Sequence, residues 1–287
     1  MTLRLLAVHA HPDDESSKGA ATYAYYSSLG VDVLIVSCTG GERGSILNPA
    51  LAENPMATRD LTGLRRREMR QAQQHLGVQH RWLGFVDSGM DEGEAAPPSS
   101  FAGVPLEHAT EPMVNIIREF RPQVLVTYDE NGGYPHPDHI RCHDVSMAAY
   151  RAAADPGQFP HSGEPWQVSK LYYDRIFNLE RIDALYLALS VIEPDSDLLE
   201  SLGAARERMK DYPDLATTHI PVGDFLEVRD NALRSHASQV SPESSFFFWP
   251  HELVREAWPY EDFQLIESKV ETALPESDLF AGVADDA

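Results

Sequence analysis

Hydrophobic positions along this 287-residue chain alternate between short unbroken runs and stretches with helical spacing. Leu3 to His9 is one apolar run, and Val31 to Cys38 is a second, β-branched one. Runs of this length suit strands buried on both faces. Between them, Ser16 to Leu29 reads as a helix stopped by Gly30. Strand, helix, strand in that order predicts a parallel sheet with crossover helices. The pattern continues with a helix over Leu64 to Leu76, a strand over Arg81 to Val86 and a helix over Leu106 to Phe120. Pro122 to Tyr128 reads as a strand, about Asp138 to Ala154 as a helix, and Lys170 to Arg175 as one more strand. Thr39 to Gly63 and Asp87 to Pro105 are long polar connections, a length often reserved for function.

Beyond Arg175 the pattern is mixed. Arg181 to Leu189, Leu198 to Met209 and Phe225 to Ser235 have helical character, and Phe246 to Trp249 is an aromatic patch read as packing between a cap and the sheet. Glu271 to Ala287 is acidic and rich in small residues, and is expected to fray. The domain expectation is a catalytic core over 1–175, a C-terminal mixed helical cap over 176–270 and an acidic tail over 271–287.

Composition narrows the function classes. Lys and Arg number 23 against 45 Asp and Glu, a net charge of -22. That excludes a nucleic-acid binder, which needs a basic footprint, and gives no reason to expect an anionic membrane as partner. The basic run Arg65-Arg66-Arg67 is too short to change this. The two cysteines, Cys38 and Cys142, make no disulfide framework. The N-terminal apolar run lacks a signal peptide's basic start and is far shorter than the ~20 residues of a membrane span. A cytoplasmic protein is expected.

The chemistry is concentrated where two strands end. The first runs directly into His9-Ala10-His11-Pro12-Asp13-Asp14-Glu15. Active sites of open α/β sheets lie at the carboxyl ends of strands. Such a density of ionisable groups at the mouth of a core is costly unless something pairs with it, and a divalent ion would. His11 and Asp14, three apart, can aim at one ion; Asp13 between them can face a water instead, as a general base. The competing reading makes Asp13 or Asp14 a helix N-cap. The strand ending near Tyr128 leads into Asp129-Glu130-Asn131-Gly132-Gly133-Tyr134-Pro135-His136-Pro137-Asp138-His139. There His139 can be a third ligand, His136 can act on substrate, and Tyr134 can donate to a developing oxyanion.

These residues carry a resemblance. A-H-P-D-D-E at the start and H-P-D-H at 136–139 are similar to the paired signatures of the LmbE/PIG-L family of zinc-dependent N-deacetylases and amidases. With the pattern above, the expected fold is α/β: a Rossmann-like, mostly parallel sheet with helices on both faces. The resemblance implies His11, Asp14 and His139 as zinc ligands, Asp13 as the base, His136 as acid or electrostatic stabiliser and Tyr134 as a mobile donor. Ferrous iron is the other ion such a donor set accepts. Further stretches, V-S-C-T-G-G-E-R-G-S-I-L-N-P and A-L-R-S-H-A-S-Q among them, resemble the branch of the family that cleaves the amide of mycothiol S-conjugates, small-molecule thioethers; Lys18 is that branch's residue. On this resemblance the substrate's sugar-inositol half would meet Arg67 and Asp87, with Arg65 and Arg66 as rivals of Arg67. Glu42 and Arg43 would line the site or pair at its edge, and Lys18 would meet the conjugate's polar backbone or stand exposed. The alternatives are deacetylation of N-acetylglucosaminyl-inositol on the same fold, or a non-catalytic metal- or sugar-binding module.

Overall fold

The computed structural model describes residues 2–90, 95–242, 244 and 247–283. In chain order its elements are β1 (Arg4–His9), α1 (Asp14–Ser17), α2 (Ala20–Ser28), β2 (Asp32–Thr39), α3 (Pro55–Arg59), α4 (Leu61–Leu76), β3 (Gln79–Phe85), α5 (Leu106–Phe120), β4 (Val124–Thr127), α6 (Pro137–Ala154), β5 (Lys170–Asp174), α7 (Leu179–Ile192), α8 (Asp197–Met209), β6 (Thr218–Pro221), α9 (Leu226–Ser235), α10 (His251–Ala257) and β7 (Tyr260–Ser268).

The strands form one seven-stranded sheet in the order β3-β2-β1-β4-β5-β7-β6. The first five are parallel, while β7 runs antiparallel to β5 and β6 antiparallel to β7. β1 shows why apolar runs mark the central strands. Leu6 and Val8 face a core shared with α5 and α6, whereas Leu5 and Ala7 face one shared with α2, α4 and α9. Both faces are covered, so alternation disappears and every position is apolar. Each such Leu or Val removed from water contributes ~1.5–3 kcal/mol.

The structure departs from the sequence expectations in four places. The helix expected over Ser16 to Leu29 is interrupted at Lys18 and Gly19. The connection expected over Thr39 to Gly63 contains a 3-10 turn at Pro49–Leu51, α3, and the start of α4. Asn48, Asn54 and Asp60 cap these turns with side-chain oxygens, and proline follows both asparagines, a local signal for helix starts. The C-terminal cap is helical in α7, α8 and α10, which share a core with Trp249, but it also sends β6 and β7 back into the sheet. Phe246, part of the expected aromatic patch, lies outside the described residues.

The fourth departure is the tail. Residues 271–283 do not fray: Leu279 and Phe280 pack into the core beside Tyr26 and Tyr172. The buried pair Lys170–Glu276 ties the segment to β5, with Tyr172 donating to Glu276 at 2.8 Å. Acidic composition hid two anchoring apolar residues. Among the described residues no helix is long and apolar enough to cross a membrane.

Candidate active site

The sheet order reverses between β1 and β4, whose neighbours β2 and β5 lie on opposite sides. Crossovers from such a point go to opposite faces and leave a crevice at the carboxyl ends of the strands. Both chemical clusters open there. His9, the last residue of β1, is not part of the reactive set. It is fully buried between Tyr128 Oη, 3.2 Å from Nδ1, and Tyr23 Oη, 3.0 Å from Nε2. Burial lowers its pKa to about 4, so it stays neutral and braces the strand end.

Hydrogen bonds assign the tautomers of the other three histidines. His139 Nδ1–H donates to the Gly132 carbonyl at 2.9 Å. Its Nε2, fully buried, has no hydrogen-bond partner and stands 3.3 Å from Asp14 Oδ2. His11 Nε2–H donates to Asp138 Oδ2 at 3.3 Å, which leaves Nδ1 free, 3.6 Å from the same Asp14 oxygen. Two imidazole lone pairs and one carboxylate oxygen therefore converge within 4.8 Å of one another. An orphaned buried nitrogen facing a buried carboxylate is costly, and a divalent cation satisfies all three donors. Carboxylate or carbonyl acceptors behind the ligating imidazoles, here Asp138 and Gly132, fix ring orientation and basicity. Gly132 is required at its place: its φ is +71°, and a Cβ would stand 2.5 Å from His139 Cβ.

His11, Asp87 and His136 also bring donor atoms within 4.8 Å. Tautomer chemistry makes that set a poor ion site. His136 is the N-cap of α6 and its Nδ1 accepts from the Asp138 amide at 3.1 Å. In the neutral ring the proton then sits on Nε2, which can donate but not ligate. Burial lowers the His136 pKa to about 4, which keeps the ring neutral near neutral pH. The spacing of H-P-D-H thus places a cap donor at 136, proline at the first helical position and a ligand at 139.

Asp13 sits at the N-cap position of α1, yet its carboxylate makes no cap bond. Its φ of 111° is outside the regions a non-glycine residue prefers and costs ~1–3 kcal/mol, strain that accumulates at functional sites. The conformation turns the carboxylate towards Arg65, whose Nη2 donates to Asp13 Oδ2 at 3.2 Å and to the Pro12 carbonyl at 2.7 Å. The Asp13 side chain keeps 24% exposure, enough for a reacting group to reach it. Burial is nonetheless the largest influence on its carboxyl and raises it above the ordinary aspartate value, against the pull of Arg65. Asp14 goes the other way: burial pushes it up, but its neighbours, the Lys18 ammonium among them, outweigh that and hold it well below the ordinary value. One acid is tuned to accept a proton and its neighbour to stay charged.

The remaining candidates divide clearly. Tyr134, 43% exposed, places its ring 4.4 Å from that of His139 and 6.0 Å from that of His136, on the open side of the site. Asp87 is buried, 3.8 Å from His11 Nε2; its Oδ2 accepts from the Arg43 amide and its Oδ1 from the Gly89 amide. Glu42 accepts from the amides of Gly40 and Asp87, so it braces the loop. Arg43, Ser88, Gly89 and Pro137 line a small cleft beside them. Lys18 is buried, not exposed, and donates to Asp14 Oδ1 at 2.6 Å. Arg67 is exposed on α4 and is not brought to the site; Arg65 is the arginine that turns inward. Its guanidinium fills the space beside Gly41, where a Cβ would lie 1.9 Å from Nη1. Sequence reasoning missed Asp138 and Ser88, whose hydroxyl and amide both donate to Asp138, as well as the buried pair Glu15–His236.

Comparison with known proteins gives the chain's family. Residues 6–150 match the family model described as PIG-L, GlcNAc-PI de-N-acetylase. The chain is 50% identical, over 99% of its length and 99% of the relative's, to a mycothiol S-conjugate amidase of Streptomyces coelicolor. It is 40% identical, over 98% of its length and 97% of the relative's, to a 1D-myo-inositol 2-acetamido-2-deoxy-alpha-D-glucopyranoside deacetylase of Streptomyces avermitilis. Among solved structures, the N,N'-diacetylchitobiose deacetylase of Pyrococcus horikoshii superposes with a TM-score of 0.61, covering 92% of this chain and 83% of that one at 18% identity, a likeness of fold. The chain belongs to the PIG-L family.

Proposed function

We propose that this chain hydrolyses the amide bond of mycothiol S-conjugates, giving an N-acetylcysteine S-conjugate (a mercapturic acid) and glucosaminyl-inositol. One observation carries the amide chemistry: the partly accessible carboxylate of Asp13, held by Arg65 beside the convergent donors of His11, Asp14 and His139. Similarity to the Streptomyces coelicolor amidase along nearly the whole chain supports the substrate. Zinc is the proposed ion, held by His11 Nδ1, Asp14 Oδ2 and His139 Nε2, with ferrous iron as its rival. When bound, such an ion polarises a carbonyl and makes water more acidic.

Asp13 takes a proton from water as the water oxygen attacks the amide carbon. Its Oδ2 is held by Arg65, which orients the acceptor without removing it from the cleft. The carbonyl oxygen gains negative charge as the tetrahedral carbon forms, and His136 Nε2–H, with the Tyr134 hydroxyl, donates to it. The carbon–nitrogen bond breaks as the nitrogen gains a proton, returned by Asp13, and the amino sugar leaves as an amine. Asp87, Glu42 and Arg43, braced together on adjoining loops, form the wall proposed to meet sugar hydroxyls. Hydroxyl recognition by such paired groups is selective because an analogue lacking the hydroxyl leaves them unpaired.

The second reading, deacetylation of N-acetylglucosaminyl-inositol, is favoured by the relatives at 37–41% identity that bear the deacetylase name. Lys18 does not separate the two, because its ammonium is committed to Asp14. The deciding assay gives the metal-loaded protein a mycothiol S-conjugate and N-acetylglucosaminyl-inositol side by side, with products read by mass. A kcat/KM for the conjugate at least tenfold higher is expected. The reverse preference makes the deacetylase reading correct, and turnover of neither with the ion bound overturns both.

A further inference from the structure

We propose that His236 is a positioning residue for this hydrolysis: acting through Glu15, it fixes the backbone of Asp13 in the conformation that presents the carboxylate to the reacting water. The inference rests on the reading of Asp13 as the base.

Asp13 holds a φ of 111°, which local sequence does not favour, so its surroundings must impose it. Two grips do so. Arg65 holds the Pro12 carbonyl and the Asp13 carboxylate. Glu15 Oε2 accepts from the Asp13 amide at 2.9 Å. A glutamate side chain can make that bond reliably only if its own rotamer is fixed. Glu15 Oε1 is fixed twice, by Ser16 Oγ at 2.5 Å and by His236 Nε2 at 2.7 Å. Glu15 and His236 are both fully buried.

His236 comes from the far end of the chain, at the C-terminus of α9. Two residues on, Ser238 is bound through its amide at 2.7 Å and its hydroxyl at 2.6 Å to Glu68, one turn after Arg65 on α4. Both grips on Asp13 are therefore anchored to one assembly of α4 and the H-A-S-Q segment. The same segment receives the Leu47 amide at the Ser238 carbonyl and Asn48 Nδ2 at the Ala237 carbonyl, so it also sets the loop that carries Glu42 and Arg43. His236 Nδ1, meanwhile, has no partner. A histidine kept for packing alone would be a poor choice at a wholly buried position, where an unpaired ring nitrogen is a standing cost. Its Nε2–H bond to Glu15 is what the position gains.

The test is a double-mutant cycle on the metal-loaded enzyme with the conjugate as substrate. His236→Ala is expected to lower kcat ~10–100-fold, the scale of a small misplacement of a reacting group, with KM within about threefold. Metal content should stay at that of the wild type. His236→Gln, which keeps a side-chain N–H for Glu15, should recover most of the rate. In an Asp13→Asn background, His236→Ala should cost less than about threefold, since a positioning residue has nothing left to position. Multiplying losses in the double variant overturn the proposal, as does an unchanged kcat for His236→Ala, or a loss that falls on KM or metal content. Where His236→Ala does not fold, the isosteric Glu15→Gln takes its place with the same criteria. If Asp13→Asn alone leaves hydrolysis intact, the base assignment itself has failed, an outcome distinct from failure of the cycle.

Discussion

Two polar clusters at different ends of the sheet differ in how fully their hydrogen-bonding groups are used. At the ends of β1 and β4, His11, Asp14, His139 and Asp138 are all at least nine-tenths buried, and His139 Nε2 remains without a partner. At the antiparallel edge, Lys170, Glu276, Tyr172, Thr218 and Thr272 close on one another: Glu276 receives Lys170 and Thr272 on one oxygen, Tyr172 and Thr218 on the other. Asp262 nearby is likewise filled by His219, Asn178 and Trp258. Burying polar groups is tolerable when every lone pair and proton is used. In the edge cluster each buried side-chain polar atom has a partner within the chain. The strand-end cluster leaves a lone pair aimed at a carboxylate, and so is built for something the chain does not supply. Between these two clusters the difference is a buried lone pair left facing a carboxylate, not charge density.

The largest way to break this comparison is to remove the ion. Chelation should abolish hydrolysis while leaving the fold intact, and zinc or ferrous iron should restore it; hydrolysis that survives complete chelation would show the strand-end cluster to be self-sufficient. Next is Asp13→Asn. Loss of a positioned base should lower kcat by ~10²–10⁴-fold. Ion content, measured on the same sample, should not change, because Asp13 is not among the convergent donors.

At the edge cluster the effect should fall on stability instead. Lys170→Met strips the partner from a buried carboxylate, a change that typically costs about 3–5 kcal/mol. Urea unfolding should show that loss, with kcat per folded molecule unaltered; a kcat that drops with stability would mean that the two clusters are one unit. The pH dependence has a definite sign. Burial pushes the Glu276 carboxyl up, but Lys170, Thr272 and Tyr172 outweigh it and hold it below the ordinary value of 4.5. Its contribution is therefore complete above that value and disappears as pH falls through the lower folded value. The stability gap between wild type and Lys170→Met should narrow on acidification, beginning above 4.5 where the unpartnered Glu276 of the variant protonates and ending as the wild-type carboxyl titrates.

A smaller effect tests the support behind the donors. Asp138→Asn keeps the shape but weakens the acceptor for His11 Nε2–H, and ion affinity, read by competition with a chelator, should fall ~10–100-fold. Unchanged affinity would mean that His11 is oriented by packing alone.

The same contrast explains what was legible in the sequence. The parallel core announces itself because strands covered on both faces must be apolar throughout, as in Leu5 to Val8. Strand-end motifs announce themselves because His and Asp are otherwise rare there. β7 does neither. Its first half, Tyr260-Glu261-Asp262-Phe263, buries both acids against partners from distant segments, with Glu261 accepting from the amides of Ala21 and Thr22. No local pattern encodes partners that far away. The tail misled for the same reason: Leu279 and Phe280 are two residues among acids, and only tertiary packing reveals them as anchors. Glu15 was visible inside the first motif, but its partner His236 is separated from it by 221 residues.

Arg65-Arg66-Arg67 is a different case, since the signal for which arginine turns inward is local. α4 buries Arg65, Glu68, Met69, Ala72 and Leu76, which recur at intervals of three and four and so share one face. Successive helical residues turn by about 100°, which carries Arg66 and Arg67 away from that face. Arg66 lies over the Trp82 ring at 6.0 Å, and Arg67 is exposed. Helix phase alone therefore selects Arg65 from the three, because Met69, Ala72 and Leu76 mark the apolar face in the sequence itself. It also sets the smallest prediction: Arg67→Ala should change stability by no more than ~0.5 kcal/mol, the range of surface substitutions that break no special feature. Its kcat and KM should match the wild type. Arg65→Ala would instead take a donor from the carboxylate of Asp13 and from the carbonyls of Pro12 and Gly41, and should reduce kcat. Equal kinetic losses in the two variants would show that α4 presents a different face to the substrate, and that the partition between satisfied and unsatisfied clusters does not extend to this helix.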